Sequence, residues 1–234
     1  MSAAPHDEAA AVAERYARRV DTGRYDPMRP EVLLARQQRE RAIVALLRRF
    51  AHRPLREMDV LEVGCGHGDN LLELLRLGAD PARLTAIELL PERAAAARRR
   101  LPAVARLLEG DATGARIHPG SCDLVVQSTV FTSLLDDGFQ QRLADAMWSW
   151  LRPGGAVLWY DFAVDNPRNP DVRGVPMQRV RSLFPAARPI AVRRVTLAPP
   201  LARVVCRVHP ALYGLFNLLP LLRTHRLAWI EKPP

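Results

Sequence analysis

Three glycines at alternate positions, Gly64, Gly66 and Gly68, interrupt VLEVGCGHGDN between an apolar run and a helical pattern. With no Cβ in the way, such a loop lets a ligand approach main-chain N–H groups at a helix N-terminus. Acidic residues stand around it at successive strand ends. Glu62 precedes the glycines, Glu88 follows Gly68 by 20 residues, and Asp111 closes the next apolar run in EGDA. A carboxylate at Glu88 can accept both hydroxyls of a ribose, and one at Asp111 an exocyclic amine such as adenine N6. Glu62 can help hold an ammonium group. Singly, each is an ordinary strand-end carboxylate; together they point to a nucleoside. The dinucleotide fingerprint G-x-G-x-x-G fails, because Asp69 stands where its third glycine belongs. A phosphate-binding loop would end in lysine, and Lys232 is the sole lysine of the chain.

Parallel strands alternating with helices would position these groups. The spacing predicts strands at MDVLEVG, RLTAIEL, ARLLEGDA, CDLVVQS and AVLWYDF, with helices between them, one ended by Gly78 and one opened by Pro91. Two helices precede the sheet, over residues 8–20 and from about Glu31 to Phe50. After residue 163 come a proline-rich loop, a short helix at QRVRSLFP, a strand in PIAVRRVTLAPP, an apolar helical stretch over 201–222 and a last strand, HRLAWIEK. The expected organisation is an N-terminal helical segment, 1–54, covering the site, and one α/β domain, 55–234, with a cap insertion at about 163–222. The fold class is a Rossmann-like, doubly wound, mostly parallel sheet.

Composition narrows the setting. The chain has 234 residues and a formal charge of +9. Residues 1–161 balance 22 basic against 22 acidic side chains, whereas 162–234 carry 12 basic and three acidic and so account for the whole excess. Such a segment could face nucleic acid, acidic lipid or a phosphorylated substrate, or be an arginine-rich solvated surface. MSAAPHDEAAAVAER has neither a basic nor an apolar leader region, and ALYGLFNLLPLL is too short to span a bilayer. Cys65, Cys122 and Cys206 lack metal-ligand spacing and read as reduced thiols, which points to the cytoplasm.

VLEVGCGHG (60–68), TAIELLPE (85–92), EGDA (109–112), CDLVVQS (122–128) and LRPGGAVLWY (151–160) together resemble the class I S-adenosylmethionine-dependent methyltransferases. The resemblance implies a seven-stranded sheet whose last strand is antiparallel and inserted between the fifth and sixth. It implies that Glu62 and the loop of Gly64, Cys65, Gly66 and Gly68 hold the methionine part of S-adenosylmethionine. Glu88 with Leu89 would bind the ribose, and Asp111 with Ala112 the adenine. Gln127 would line the methionine–substrate side. S-adenosylhomocysteine would be the product.

The acceptor side is then read after the fourth and fifth strands. Enzymes of this kind acting on amide or exocyclic nitrogens carry an Asn/Asp-Pro-Pro-aromatic motif there; this chain has Gln127-Ser128-Thr129-Val130, which favours an oxygen acceptor. Ser128 and Tyr160 are the expected substrate contacts. Asp161 is the expected base, ahead of His118 and His67. Tyr16 and Tyr25 either close over the cofactor or pack helices. The 201–222 stretch could be lid, homodimer face, membrane-surface contact or core. The C-terminal segment resembles bacterial methyltransferases of glycan and natural-product modification, so a small-molecule or sugar-containing acceptor is expected, and no DNA. An RNA or protein methyltransferase using the basic third is the alternative. A nicotinamide dehydrogenase lacks both its glycine spacing and a Tyr-x-x-x-Lys pair here.

Overall fold

Seven strands form one sheet in the order β3-β2-β1-β4-β5-β7-β6. A computed structural model describes residues 7–19, 23–166, 169–188 and 190–234. The strands are β1 (Val60–Val63), β2 (Leu84–Glu88), β3 (Arg106–Glu109), β4 (Cys122–Ser128), β5 (Leu151–Phe162), β6 (Ala191–Leu197) and β7 (Arg223–Glu231). The first five are parallel, and β7 runs antiparallel between β5 and β6. This is the topology the resemblance implied. Every side chain of β1 is buried, as expected at the centre of a sheet covered on both faces.

The helices are α1 (Glu8–Ala17), α2 (Pro30–Phe50), α3 (Asp69–Arg76), α4 (Pro91–Arg100), α5 (Asp137–Trp150), α6 (Met177–Leu183), α7 (Pro199–Val208) and α8 (Ala211–Asn217). Ile43 and Leu46 of α2 pack with Leu71, Leu74 and Ala97 on one face of the sheet. Leu143, Met147 and Trp150 of α5 cover the other, with Val180 and Leu183 of α6. Gly78 stops α3 with φ +100°, its N–H bonded to Leu75 O and that of Ala79 to Leu74 O. Lys232 Nζ donates to Trp148 O and Leu151 O, both at 2.8 Å, and so caps the end of α5.

Two expectations shift. The first helix ends at Ala17. The 201–222 stretch is not one helix: proline at 210 and 220 divides it into the end of α7, then α8, then a 3-10 turn at Pro220–Leu222. Leu197, Ala202, Val205, Cys206 and Tyr213 form a small core beneath this cap.

A candidate methyl-transfer cavity

A cavity of about 570 Å³ opens at the carboxyl ends of β1, β2, β4 and β5, roofed by α1, α2 and α7. Its first half is built on the glycine loop. Gly64 N–H and Cys65 N–H donate to Ile87 O at 2.8 and 3.1 Å, fixing the loop to β2. Gly66 N–H donates to Glu88 Oε2 at 2.7 Å, and Leu90 N–H to Oε1 at 3.0 Å. Gly64 has φ +65°, and a Cβ there would meet Val130 Cγ2 at 2.6 Å. At Gly66, φ +58°, a Cβ would meet no protein atom within 4 Å and would project into open space. Asp111 accepts from Thr113 N–H at 2.8 Å and Thr113 Oγ1 at 2.6 Å, which aims the turn after β3. Glu88, Leu89, Asp111 and Ala112 all line the cavity.

Glu62 lies beneath this loop, fully buried. Asn70 Nδ2 donates to its Oε1 at 2.6 Å, while Oε2 has no partner among the described residues. Burial raises its pKa to about 8 against the Asn70 bond and the Arg39 charge. Arg39 of α2 donates to Asn70 Oδ1 at 2.8 Å and reaches Glu73 Oε2 at 3.4 Å. Burial likewise pushes the Cys65 thiol up, so it stays protonated.

The second half is walled by β5, β6, β7, α2 and α7. The Tyr160 hydroxyl meets Thr196 Oγ1 at 2.8 Å, and its ring stacks on His225 at 5.0 Å with 15° between planes. His225 Nδ1 lies 3.0 Å from Thr224 Oγ1; Nε2 has no hydrogen bond among the described residues. Burial, aided by Arg39 and Arg226, lowers its pKa to about 4, so the imidazole is neutral at physiological pH. The two non-glycine residues with positive φ among those described, Thr129 (57°) and Thr196 (62°), both line this cavity. Thr129 N–H is held by Tyr160 O at 2.8 Å and Thr196 N–H by Gln38 Oε1 at 3.0 Å. Such strain persists only where surroundings over-determine it, and it clusters at functional sites.

α1 closes the cofactor side. Its buried Glu8–Arg15 pair, at 2.5 Å, is fastened to the β4–α5 connection by Leu135 N–H to Glu8 at 2.7 Å and Arg15 to Ser133 O at 3.0 Å. Tyr16 thereby faces the cavity, with Arg19 and Arg93 over its ring at 3.7 and 4.3 Å. Tyr25 stands exposed at the rim.

Residues 60–155 match the family model described as a methyltransferase domain. Over those residues the chain carries a methyltransferase domain, and its seven-stranded sheet has the fold of the class I S-adenosylmethionine-dependent methyltransferases. No curated protein matches it in sequence. Among solved structures it is similar to the 1,6-didemethyltoxoflavin-N1-methyltransferase of Burkholderia thailandensis, at 18% identity and TM-score 0.65, covering 100% of this chain and 92% of that one. It is also similar to a Thermotoga maritima protein described as a possible histamine N-methyltransferase, at 16% identity and TM-score 0.63, covering 95% and 99%. The Haemonchus contortus phosphoethanolamine N-methyltransferase 2 matches at 15% and TM-score 0.60, covering 83% of this chain and 53% of that one. At these identities the likeness is one of fold.

The Haemonchus contortus enzyme is described in complex with S-adenosyl-L-methionine and the Burkholderia thailandensis enzyme with S-adenosylhomocysteine. The space left open beyond Gly66 fits such a group, whereas Glu62 and Gly68, expected beside it, do not line the cavity: Glu62 is fully buried under the loop and Gly68 faces Leu101. Ser128 and Tyr160 line the cavity. Three other expectations need correction. Gln127 is fully buried and does not line it; its Oε1 accepts from Val130 N–H at 3.2 Å and so shapes the turn after β4. Asp161 is turned away, because neighbours along a strand point to opposite faces and Tyr160 takes the cavity side. Its carboxylate accepts from Thr132 Oγ1 at 2.6 Å and from Thr132 and Phe162 N–H; burial raises its pKa to about 7 against those bonds. His118 is exposed ahead of β4, at the strand's amino end, opposite the cleft. His67 does line the cavity, on the exposed side of the glycine loop.

Arg39, Thr129 and Thr196 were not singled out as site residues from sequence, and His225 stood there only as one of two histidines of the C-terminal segment, behind Asp161, among the candidate bases. For His225 a signal existed: an antiparallel last strand begins where its parallel neighbour β5 ends, so the first residues of β7 must stand at the cleft.

Proposed function

We propose that this methyltransferase methylates an oxygen of a small-molecule or sugar-containing acceptor, in bacterial glycan or natural-product metabolism, within the cytoplasm. The observation that carries the reading is the second half of the cavity: a neutral imidazole, His225, stacked on Tyr160 and opening beside Ser128. The cofactor supplies an electrophilic methyl group on a sulfonium. Glu88 and Asp111 hold its ribose and adenine, Glu62 answers its ammonium charge from beneath the loop, and the Gly66 main chain lets it settle close to the loop. Ser128 and Tyr160 orient the acceptor hydroxyl. His225, with Nδ1–H donated to Thr224, presents the Nε2 lone pair to the acceptor proton as the new bond forms. This role replaces the one first given to Asp161. A cavity of about 570 Å³ lies within the roughly 300–1,000 Å³ usual for small-molecule sites. The roof of α1, α2 and α7 favours a compact acceptor over a polymer.

The acceptors of the structural neighbours named above are nitrogen compounds, whereas the missing Asn/Asp-Pro-Pro-aromatic motif supports oxygen here. A panel of hydroxylated sugars, phenols and amines, incubated with isotope-labelled S-adenosylmethionine, decides between them. Label recovered on oxygen supports the reading; label on nitrogen overturns it. The RNA alternative rests on the 12 basic residues of the C-terminal third. It requires RNA affinity that falls steeply with salt, and no binding at low salt removes it.

A further inference from the structure

Twelve large apolar side chains are exposed among the described residues, and six of them lie within 204–221: Val204, Val208, Leu215, Leu218, Leu219 and Leu221. α7 and α8 already bury one stripe each, through Ala202, Val205, Cys206 and Tyr213. The exposed six make a second set. Val204 and Val208 are spaced by four on α7 and share a helix face, while Leu215 stands on α8, Leu218 at its C-cap and Leu219 just beyond, all three exposed. Leu221, 87% exposed, tops the turn before β7. Packing onto the small core uses one apolar stripe per helix; the second faces outward unpartnered.

Within this stretch of chain the charge has one sign, the nearest carboxylate packed against α7 being Glu31 of α2, which pairs with Arg29. Ten arginines and no acidic residue occur between Asp171 and Glu231. Arg193, Arg194 and Arg207 are exposed and Arg203 half-buried, and none of the four forms an ion pair among the described residues. We propose that α7, α8 and the turn into β7 are a docking surface for an anionic lipid bilayer. The leucines and valines enter the boundary between headgroups and acyl chains, and the arginines meet acidic headgroups. A nucleic acid would satisfy the arginines and leave the apolar stripes in water. A second copy would cover the stripes but bring like-charged arginines together, with no carboxylate between Asp171 and Glu231 to pair them. Among the described residues no helix is long and apolar enough to cross a membrane, so the contact is at the surface. Ala202 and Arg203 of α7 also line the cavity, whose rim carries exposed Tyr25. Docking therefore sets the acceptor opening beside the lipid boundary. This surface is independent of which acceptor atom is methylated.

The test is co-sedimentation of the full chain with phosphatidylcholine vesicles, with and without phosphatidylglycerol. Sedimentation is expected with the anionic vesicles alone, weakening as salt is raised. Leu218→Glu combined with Leu221→Glu should cut the bound fraction at least tenfold while the melting temperature stays at that of the wild type, since both side chains are exposed. No sedimentation with anionic vesicles at low salt, or equal sedimentation of the double variant, overturns the proposal. So does a homodimer in light scattering that the double variant dissociates. Calorimetry with S-adenosylhomocysteine reads the cofactor site separately, so failure there leaves the vesicle result to stand or fall by itself.

Discussion

In the cofactor half of the cavity the lining groups on the sheet side come from Val63 to Ala112, and several are main-chain. In the acceptor half they come from as far apart as Arg39 and His225, and nearly all are side chains. The first half is shaped by a fixed partner: glycines at positive φ, then one acid at each of three strand ends. The second is assembled by topology, where β7 is inserted against β5 and α2 lies across both. Damage to the first half should therefore act on cofactor affinity, and damage to the second on turnover.

The largest expected effect separates them outright. Gly66→Val should eliminate measurable S-adenosylhomocysteine binding in calorimetry, since the new side chain fills space that meets no protein atom. The positive φ adds strain of about 1–3 kcal/mol, so Gly66→Ala is the gentler partner and should weaken binding while leaving the fold intact. Wild-type affinity in both would mean the loop does not cradle the ligand.

His225→Ala should lower kcat by about 10²–10⁴-fold, the worth of a positioned base, with cofactor affinity unchanged. The pH profile sharpens this. His225 faces Tyr160 of β5 and the Arg39 and Arg226 guanidiniums, and burial holds its pKa at about 4. Its rate contribution should be flat from neutral pH downward and fall only as pH approaches that value. Asp161→Asn, by contrast, should leave kcat within a few-fold and act on the melting temperature through the lost Thr132 contacts. A large kcat loss in Asp161→Asn with none in His225→Ala would reverse the assignment.

Glu88→Ala should weaken S-adenosylhomocysteine binding by about 1.5–3 kcal/mol, the range for hydrogen bonds to a charged group. It removes a ribose acceptor and also the tie from Gly66 N–H that sets the loop. Asp111→Ala should cost less, because water can replace a single amine contact. Equal affinity of both variants with the wild type would detach the strand-end acids from the cofactor.

This contrast also explains what could be read beforehand. Gly64, Gly66, Gly68, Glu88 and Asp111 sit at fixed distances from strand ends, so one-dimensional spacing carries their geometry. Asp161 and Tyr160 show the limit: adjacent residues at one strand end face opposite sides, and nothing in WYDF says which side is the cleft. His118 was near β4 in sequence but at its wrong end. His225 required the antiparallel insertion of β7 to be followed through to its first residues. The strained Thr129 and Thr196 gave no sign at all, since threonine is ordinary at a strand end until its φ is seen.

The smallest expected effect concerns the first half alone and a proton. Glu62 is buried with Oε2 unpartnered among the described residues, and burial raises its pKa to about 8 against the ordinary 4.5. The carboxyl is thus mostly protonated at pH 7. An ammonium group arriving beside Oε2 favours the carboxylate, so ligand binding at pH 7 should release up to about one proton. Calorimetry of S-adenosylhomocysteine in buffers of different ionisation enthalpy reads that proton directly. The sign for stability follows from the same raised value. The folded state holds the proton more tightly than the unfolded one, so Glu62's contribution is full below about 4.5 and is lost as pH rises toward 8. Glu62→Gln should abolish the buffer dependence and flatten that part of the melting profile. Buffer-independent heats in the wild type at pH 7 would show that the ammonium is held elsewhere, and the buried Glu62–Asn70–Arg39 network would then serve to brace the loop on α2.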